Sequence, residues 1–186
     1  MIHVALLRGI NVGGNNLIKM SALREAFEAL GFTSVTTYIA SGNVVFDANA
    51  KVGKAALTST IEVALSRSFA YESKIVVISA KDLARAVREA PQGFGDEPAK
   101  YRYDVLFVKP PLTTRAALPQ VETTPGVDDV AAGKHALYFR RLVAEATRSK
   151  LAKIVGKPLY RDLTIRSWNT TTKLLTLASA AAGAAL

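Results

Sequence analysis

Apolar residues along this chain fall into short runs and helical stripes that alternate in a regular order. Ile2–Leu7 is a compact apolar run of strand length. Arg8–Asn16 breaks it with three glycines and three asparagines in nine residues, a loop composition. Met20, Leu23, Phe27 and Leu30 recur at helical spacing and Gly31 supplies the stop. Val35–Ile39 and Val44–Phe46 are β-branched and aromatic on either side of Ala40-Ser41-Gly42-Asn43, which predicts a hairpin. Leu57, Ile61, Ala64, Leu65 and Phe69 mark a helix over 55–69, and Lys74–Ser79 reads as a strand. The order is β-α-β-β-α-β, then a helix over 81–90 that Ser79 can cap and Pro91 closes.

The same order returns further on. Asp104–Val108 predicts a strand and Thr113–Leu118 a short helix. Val127–Ala131 and His135–Arg141 pair around Gly133-Lys134, Thr147–Val155 predicts a helix ended by Gly156, and Leu163–Arg166 a strand. A last helix starts near Asn169 and frays in an Ala-rich end. The pattern therefore predicts an α+β protein of two tandem ferredoxin-like (alpha-beta plait) units, each an antiparallel sheet with its crossover helices on one face. Residues 1–91 form the first unit, 101–186 the second, and the Gly-, Pro- and charge-containing stretch 92–100 the linker.

Composition narrows the chemistry. With 49% hydrophobic and 21% charged residues the chain is globular, and 186 residues suffice to bury a core. The absence of cysteine excludes disulfides, zinc ribbons, iron–sulfur clusters and thiol catalysis, and fits a cytoplasmic protein. Only His3 and His135 are available as imidazoles, so no metal and no other cofactor is expected. The N-terminal run has no basic flank of a signal peptide, and the apolar C-terminal run is short of the ~20 residues a membrane span needs, so no membrane partner is expected.

Charge changes the picture more. The formal net charge is +9, yet residues 134–173 hold ten Lys and Arg against Glu145 and Asp162 alone, so +8 lies in that stretch. It predicts a phosphate-bearing ligand or nucleic acid as partner, with a solvated basic face as the plain alternative. Within it, Arg148, Lys150 and Lys153 fall near the start of the predicted helix over 147–155. The helix dipole disfavours positive charge there, and a bound anion would relieve it.

Three segments carry candidate binding residues. In 8–16, Arg8, Asn11, Gly13 and Gly14 precede a helix, and converging N–H groups with Lys19 could cradle an anion. The spacing is neither the P-loop nor G-x-G-x-x-G, and a turn needing Gly and Asn for its geometry is the alternative. Ser41 and Asn43 sit at the hairpin tip, able to bond a ligand or their own backbone, and no nearby base makes Ser41 a nucleophile. In 164–170, Arg166 and Trp168 could stack on a base while Asn169 or Ser167 caps the last helix; the alternative is a core-anchoring tryptophan. Tyr101, Tyr103 and Tyr138 could take the place of the stacking aromatics absent from the first unit, with core or rim packing as their ordinary role.

These segments together resemble the bacterial family called domain of unknown function 1697. The resemblance rests on Leu6-Leu7-Arg8-Gly9-Ile10-Asn11-Val12-Gly13-Gly14, Met20…Leu23, Gly31-Phe32…Thr37-Tyr38-Ile39-Ala40-Ser41-Gly42-Asn43-Val44-Val45-Phe46 and Arg166-x-Trp168-Asn169-Thr170, spanning Leu6 to Lys173. Ser167 stands where the family usually has asparagine. The resemblance implies tandem plait-like domains and no established activity. Three function classes follow: binding of a nucleic acid or phosphorylated ligand, a small metal-independent enzyme on a phosphorylated or nucleotide substrate, and a scaffold that dimerises through sheet faces.

Overall fold

The computed structural model describes residues 1–183. The Ala-rich end expected to fray reaches into 184–186, outside the described residues. The first unit comprises Met1–Lys81 together with the chain from Lys173 onward, and the second Asp82–Thr172. Segment 92–100, read as a linker, thus lies inside the second unit, and the boundaries fall within two helices instead. A buried helix follows its packing partners whatever its place in the sequence. Counted by unit, the charge is not lopsided. The first unit has nine basic and five acidic residues and the second fifteen and ten, net +4 and +5.

In the first unit, β1 (Ile2–Leu7), β2 (Thr33–Tyr38), β3 (Asn43–Asp47) and β4 (Ile75–Ser79) form an antiparallel sheet in the order β2-β3-β1-β4. Helices α1 (Met20–Ala29) and α2 (Lys54–Phe69) bury Leu23, Phe27, Leu57, Ile61 and Leu65 against Ala5, Leu7, Val44, Phe46, Ile75 and Val77, one face of that sheet. The i, i+2 spacing of these strand residues and the i, i+4 spacing of the helix residues are the two periodicities visible in the sequence. Every residue of β1 is buried, His3 included, as its mainly apolar run predicts for a strand covered on both faces.

In the second unit, helix α3 (Ala80–Arg88) leads to β5 (Tyr101–Val108), the one-turn helix α4 (Thr114–Ala117), β6 (Asp128–Ala132), β7 (Leu137–Leu142) and β8 (Leu163–Ser167). The strands pair antiparallel in the order β6-β7-β5-β8, the same permutation as in the first sheet. Leu106, Leu137, Phe139 and Leu163 pack on one face under Ala117, Val121, Leu151, Ile154 and Leu159. Helix α5 (Trp168–Gly183) ends the described chain, and among the described residues no helix is long and apolar enough to cross a membrane.

The helix expected over 147–155 is absent. Three short 3-10 helices occupy this region: Ala146–Arg148, Leu151–Gly156 and Pro158–Asp162. Ser149 is extended (φ −63°, ψ 140°) and interrupts any continuous helix. Gly156 and Pro158 prevent the next turn from propagating. The dipole argument for a bound anion falls with the helix, since Arg148 and Lys153 lie in last turns, where positive charge is favourable.

Candidate functional site

Segment 8–16 is a miniature hairpin. The Asn15 N–H donates to the Val12 carbonyl at 3.1 Å, and Gly13 and Gly14 at the tip have φ of 58° and 79°. Two consecutive positive φ values are what a type I′ turn requires, so the Gly-Gly pair is there for geometry. The finger is closed at its base by Asn11 N–H to Asn16 O at 3.1 Å and by the Asn16 side chain to Gly9 O at 2.7 Å. Asn11 itself is left-handed, with φ of 53°. Its carboxamide accepts from Ile18 N–H at 2.8 Å and donates to Ile18 O at 2.9 Å and Ala40 O at 2.8 Å. One side chain thus ties the finger to the start of α1 and to the turn between β2 and β3.

That turn closes against the finger from the other side. Leu7 N–H donates to Gly42 O at 2.9 Å, and a Cβ on Gly42 (φ 81°) would stand 2.5 Å from Ile10 Cδ1 and 2.9 Å from Leu7 Cβ. Asn43 is fully buried and donates to Tyr38 O at 2.9 Å and Ser41 Oγ at 3.4 Å. The amides of Asn11 and Asn43, expected to orient a ligand, are therefore engaged with the backbone. Exposed Lys19, half-exposed Arg8 and the Gly13-Gly14 tip still face outward, beside exposed Val12, Leu17 and Ile39. Ile39 holds φ of 48°, an outlier for a β-branched residue.

In the second unit the sheet face opposite Leu106 and Phe139 carries a second cluster. The register sets Asp129 beside Arg140, Ala131 beside Tyr138 and Tyr103 beside Arg140, so all five project from one face. Phe94, from segment 92–100, lies edge-on to Tyr103, Tyr138 and Trp168, with ring centroids at 4.9, 5.6 and 5.2 Å. Between Phe94 and the strands is an open cleft of about 330 Å³, walled by Pro91, Gln92 and Phe94 and floored by Asp129, Ala131, Tyr138 and Arg140. Arg140 donates from Nε to Asp129 at 2.8 Å and lies 4.7 Å over the Tyr101 ring.

Trp168 does not line this cleft but holds Phe94 from behind. The Gly95 backbone lies so close that a Cβ would come within 2.4 Å of the indole nitrogen. Arg166 projects from β8 on the same face and is buried, donating to the Ile165 carbonyl at 2.9 Å. Desolvation brings its guanidinium down to about 10, so it remains charged at neutral pH. Asn169 is exposed, and the cap on α5 is Ser167, whose Oγ accepts from Thr170 N–H at 3.2 Å. Serine and asparagine both serve at an N-cap, which accounts for Ser167 where the resembled family has asparagine.

The cleft is tied at its base by His135, which the sequence did not mark. Its Nδ1–H donates to Glu89 Oε1 at 2.8 Å and its backbone N–H to Glu89 Oε2 at 3.2 Å, clasping the β6–β7 turn to the end of α3. Burial alone would raise the Glu89 carboxyl, but the His135 hydrogen bonds outweigh it and hold it below the usual range. Nearby, the Tyr138 hydroxyl donates to Ala86 O at 2.5 Å, and burial pushes this phenol well up.

On the other sheet face runs the basic segment of 3-10 helices. Lys157 donates to Glu122 at 2.5 Å and to Gln120 O at 3.1 Å. The hydrogen bond and charge of Lys157, with Lys153 and Lys150 behind it, hold the Glu122 carboxyl below its ordinary range. Lys157 bonds this exposed carboxylate directly, and Lys150 and Lys153 act on it through their charge alone. The segment is anchored from beneath by Asp128, whose Oδ2 accepts from Thr124 N–H at 3.0 Å and Lys150 N–H at 2.9 Å.

The family model for "Protein of unknown function (DUF1697)" matches residues 1–138. The chain belongs to that family. The DUF1697 match takes in the finger and the β2–β3 turn but ends at Tyr138, so Arg166, Trp168 and Asn169 lie beyond it, short of the Leu6–Lys173 span of the resemblance. Among solved structures the chain is similar to a conserved bacterial protein from Streptococcus pneumoniae, at 26% identity and a TM-score of 0.82, over 95% of this chain and 98% of that one. Comparison with curated proteins finds no match. The DUF1697 description names no activity. Among the described residues no three His, Asp or Glu side chains group to hold a metal ion.

Proposed function

We propose that this protein binds an anionic ligand, a nucleic acid or phosphorylated molecule, through the 3-10 segment of its second unit. The run of Lys150, Lys153, Lys157 and exposed Arg161 along this segment, with Glu122 as the carboxylate bonded to Lys157, carries the reading. One carboxylate against three lysines leaves net positive charge on the segment, and exposed Arg161 extends it, while Arg148 is paired with Glu145 at 3.3 Å. Phosphate groups of a flexible strand neutralise such a surface by displacing counterions, without needing a deep pocket. In the first unit, Arg8 and Lys19 are the candidate phosphate contacts, with Asn11 and Asn43 as braces.

The reading includes a fold assignment: each unit is a ferredoxin-like plait. Support comes from the order β-α-β-β-α-β in the first unit and from the shared strand permutation β2-β3-β1-β4 and β6-β7-β5-β8. The second unit departs by replacing the second crossover helix with the basic 3-10 segment.

The test is fluorescence polarisation of labelled single-stranded RNA, single-stranded DNA and duplex DNA across salt, with pyrophosphate as competitor. If about three phosphates are neutralised, the log–log salt slope for single strands is about −2. The double variant K150E/K153E is expected to weaken binding at least tenfold at low salt. No binding at low salt, or equal binding by the variant, overturns the proposal.

A further inference from the structure

The cleft on the opposite face of the second sheet has a composition unlike the basic segment, and its chemistry is more selective. Its lining includes Pro91, Phe94 and the buried Tyr138, and its polar residues are Gln92 and the paired Asp129 and Arg140. Its volume of about 330 Å³ is at the small end of the ~300–1,000 Å³ range of ligand sites. The guanidinium is fixed in plane, because Nε is held by Asp129 at 2.8 Å and one face rests on Tyr101 at 4.7 Å. Its terminal N–H groups can still donate, while the Asp129 carboxylate, 65% exposed, retains lone pairs to accept. A slot walled by Pro91 and the Phe94 ring, with donors on Arg140 and an acceptor on Asp129 in adjacent fixed positions, suits a flat ring that presents both acceptors and N–H donors along one edge.

We infer that this cleft is a binding site for a planar nitrogen heterocycle of the nucleobase type, inserted between Phe94 and the strands with its polar edge on Asp129, Arg140 and Gln92. The aromatic residues come from β5 and β7, the two central strands of the sheet, the layout with which RNA-recognition sheets stack bases. Here Phe94 packs edge-on over Tyr103 and Tyr138 and covers them, so a base in the slot meets the Phe94 ring and the rim of Tyr138 in place of an open stacking face. The inference does not rest on the basic segment, which lies on the other side of the sheet.

Trp168 gives the assay, since its ring stands 5.2 Å from that of Phe94, the wall an occupant touches. Adenosine, guanosine, cytidine and uridine are titrated against the full chain by Trp fluorescence and thermal shift, alongside single-stranded trinucleotides. A saturable response to at least one nucleoside or trinucleotide is expected. It should weaken tenfold or more in Ala131→Phe, which fills the slot from the edge strand, and also in Asp129→Asn. Binding only as part of a trinucleotide assigns the base to a nucleic acid, and binding of the nucleoside alone to a small molecule. No saturable binding by any probe at millimolar concentration overturns the inference, and so does equal affinity in both slot variants. Circular dichroism melts of the variants separate loss of the slot from loss of the fold.

Discussion

Replacing Asn11 by alanine tests whether this residue is a brace or a ligand contact. The carboxamide makes three hydrogen bonds, at 2.8 to 2.9 Å, to the backbone of Ile18 and Ala40. A net ~0.5–1.5 kcal/mol for each bond gives about 1.5–4.5 kcal/mol. Asn11 is half-buried, so water reaches part of what is left unpaired, and the expected loss is about 2–3 kcal/mol. The left-handed backbone adds a second contribution, unfavourable for alanine and absent for glycine. With φ of 53°, position 11 favours glycine over alanine by about 1 kcal/mol, so N11G should be less damaging than N11A by roughly that amount. Urea unfolding measures both, and with m of about 1–3 kcal/mol/M the N11A midpoint should fall by about 1 M. Amide exchange at Ile18, whose N–H donates to Asn11, should accelerate in both variants. An N11A variant within 0.5 kcal/mol of the wild type, with Ile18 exchange unchanged, would refute the brace.

Other perturbations follow the same geometry. Gly42→Ala places a methyl 2.5 Å from Ile10 Cδ1 at φ of 81°; overpacking and left-handed strain together are expected to cost about 3 kcal/mol, read from the thermal midpoint. Gly95→Ala drives a Cβ into the Trp168 indole, and the expected readout is red-shifted tryptophan emission with Phe94 displaced from the cleft. The Glu89 carboxyl is held below its usual range in the folded state, so its stabilisation is present above the unfolded-state value, ~4.3, and is lost as pH falls through the folded value. The melting-temperature gap between wild type and Glu89→Gln should therefore be wide at pH 6 and close as pH falls below about 4; a gap constant over that range counts against the His135 clasp.

The strands of both sheets were legible because period-2 and unbroken apolar runs leave few alternatives, and β1 to β8 fall within a few residues of the expected spans. Two helices of the first unit and the short helix α4 were legible for the same local reasons, with Thr113, read as its first residue, serving as its cap. The 147–155 segment misled because Leu151, Ala152, Ile154 and Val155 present a helical stripe, while the extended Ser149 and the tertiary anchor from Asp128 to Lys150 N–H favour short turns. Trp168 and Arg166 stood out by residue type, whereas Phe94, Gln92, Asp129 and Arg140 were unremarkable in sequence.

The chain's own pattern was enough to determine which stretches are strands, where the Gly-Gly turn must be and what chemistry is missing. Those are consequences of side-chain periodicity, backbone freedom and composition, all local. Only the tertiary structure decided which groups are available. It engaged the Asn11 and Asn43 amides with backbone, set Arg140 in plane between Asp129 and Tyr101, and bonded Lys157 to Glu122. Even the charge asymmetry was a property of the linear order. Distributed over the compact units it is nearly even, because hydrophobic burial groups segments by the faces they cover and not by their neighbours along the chain.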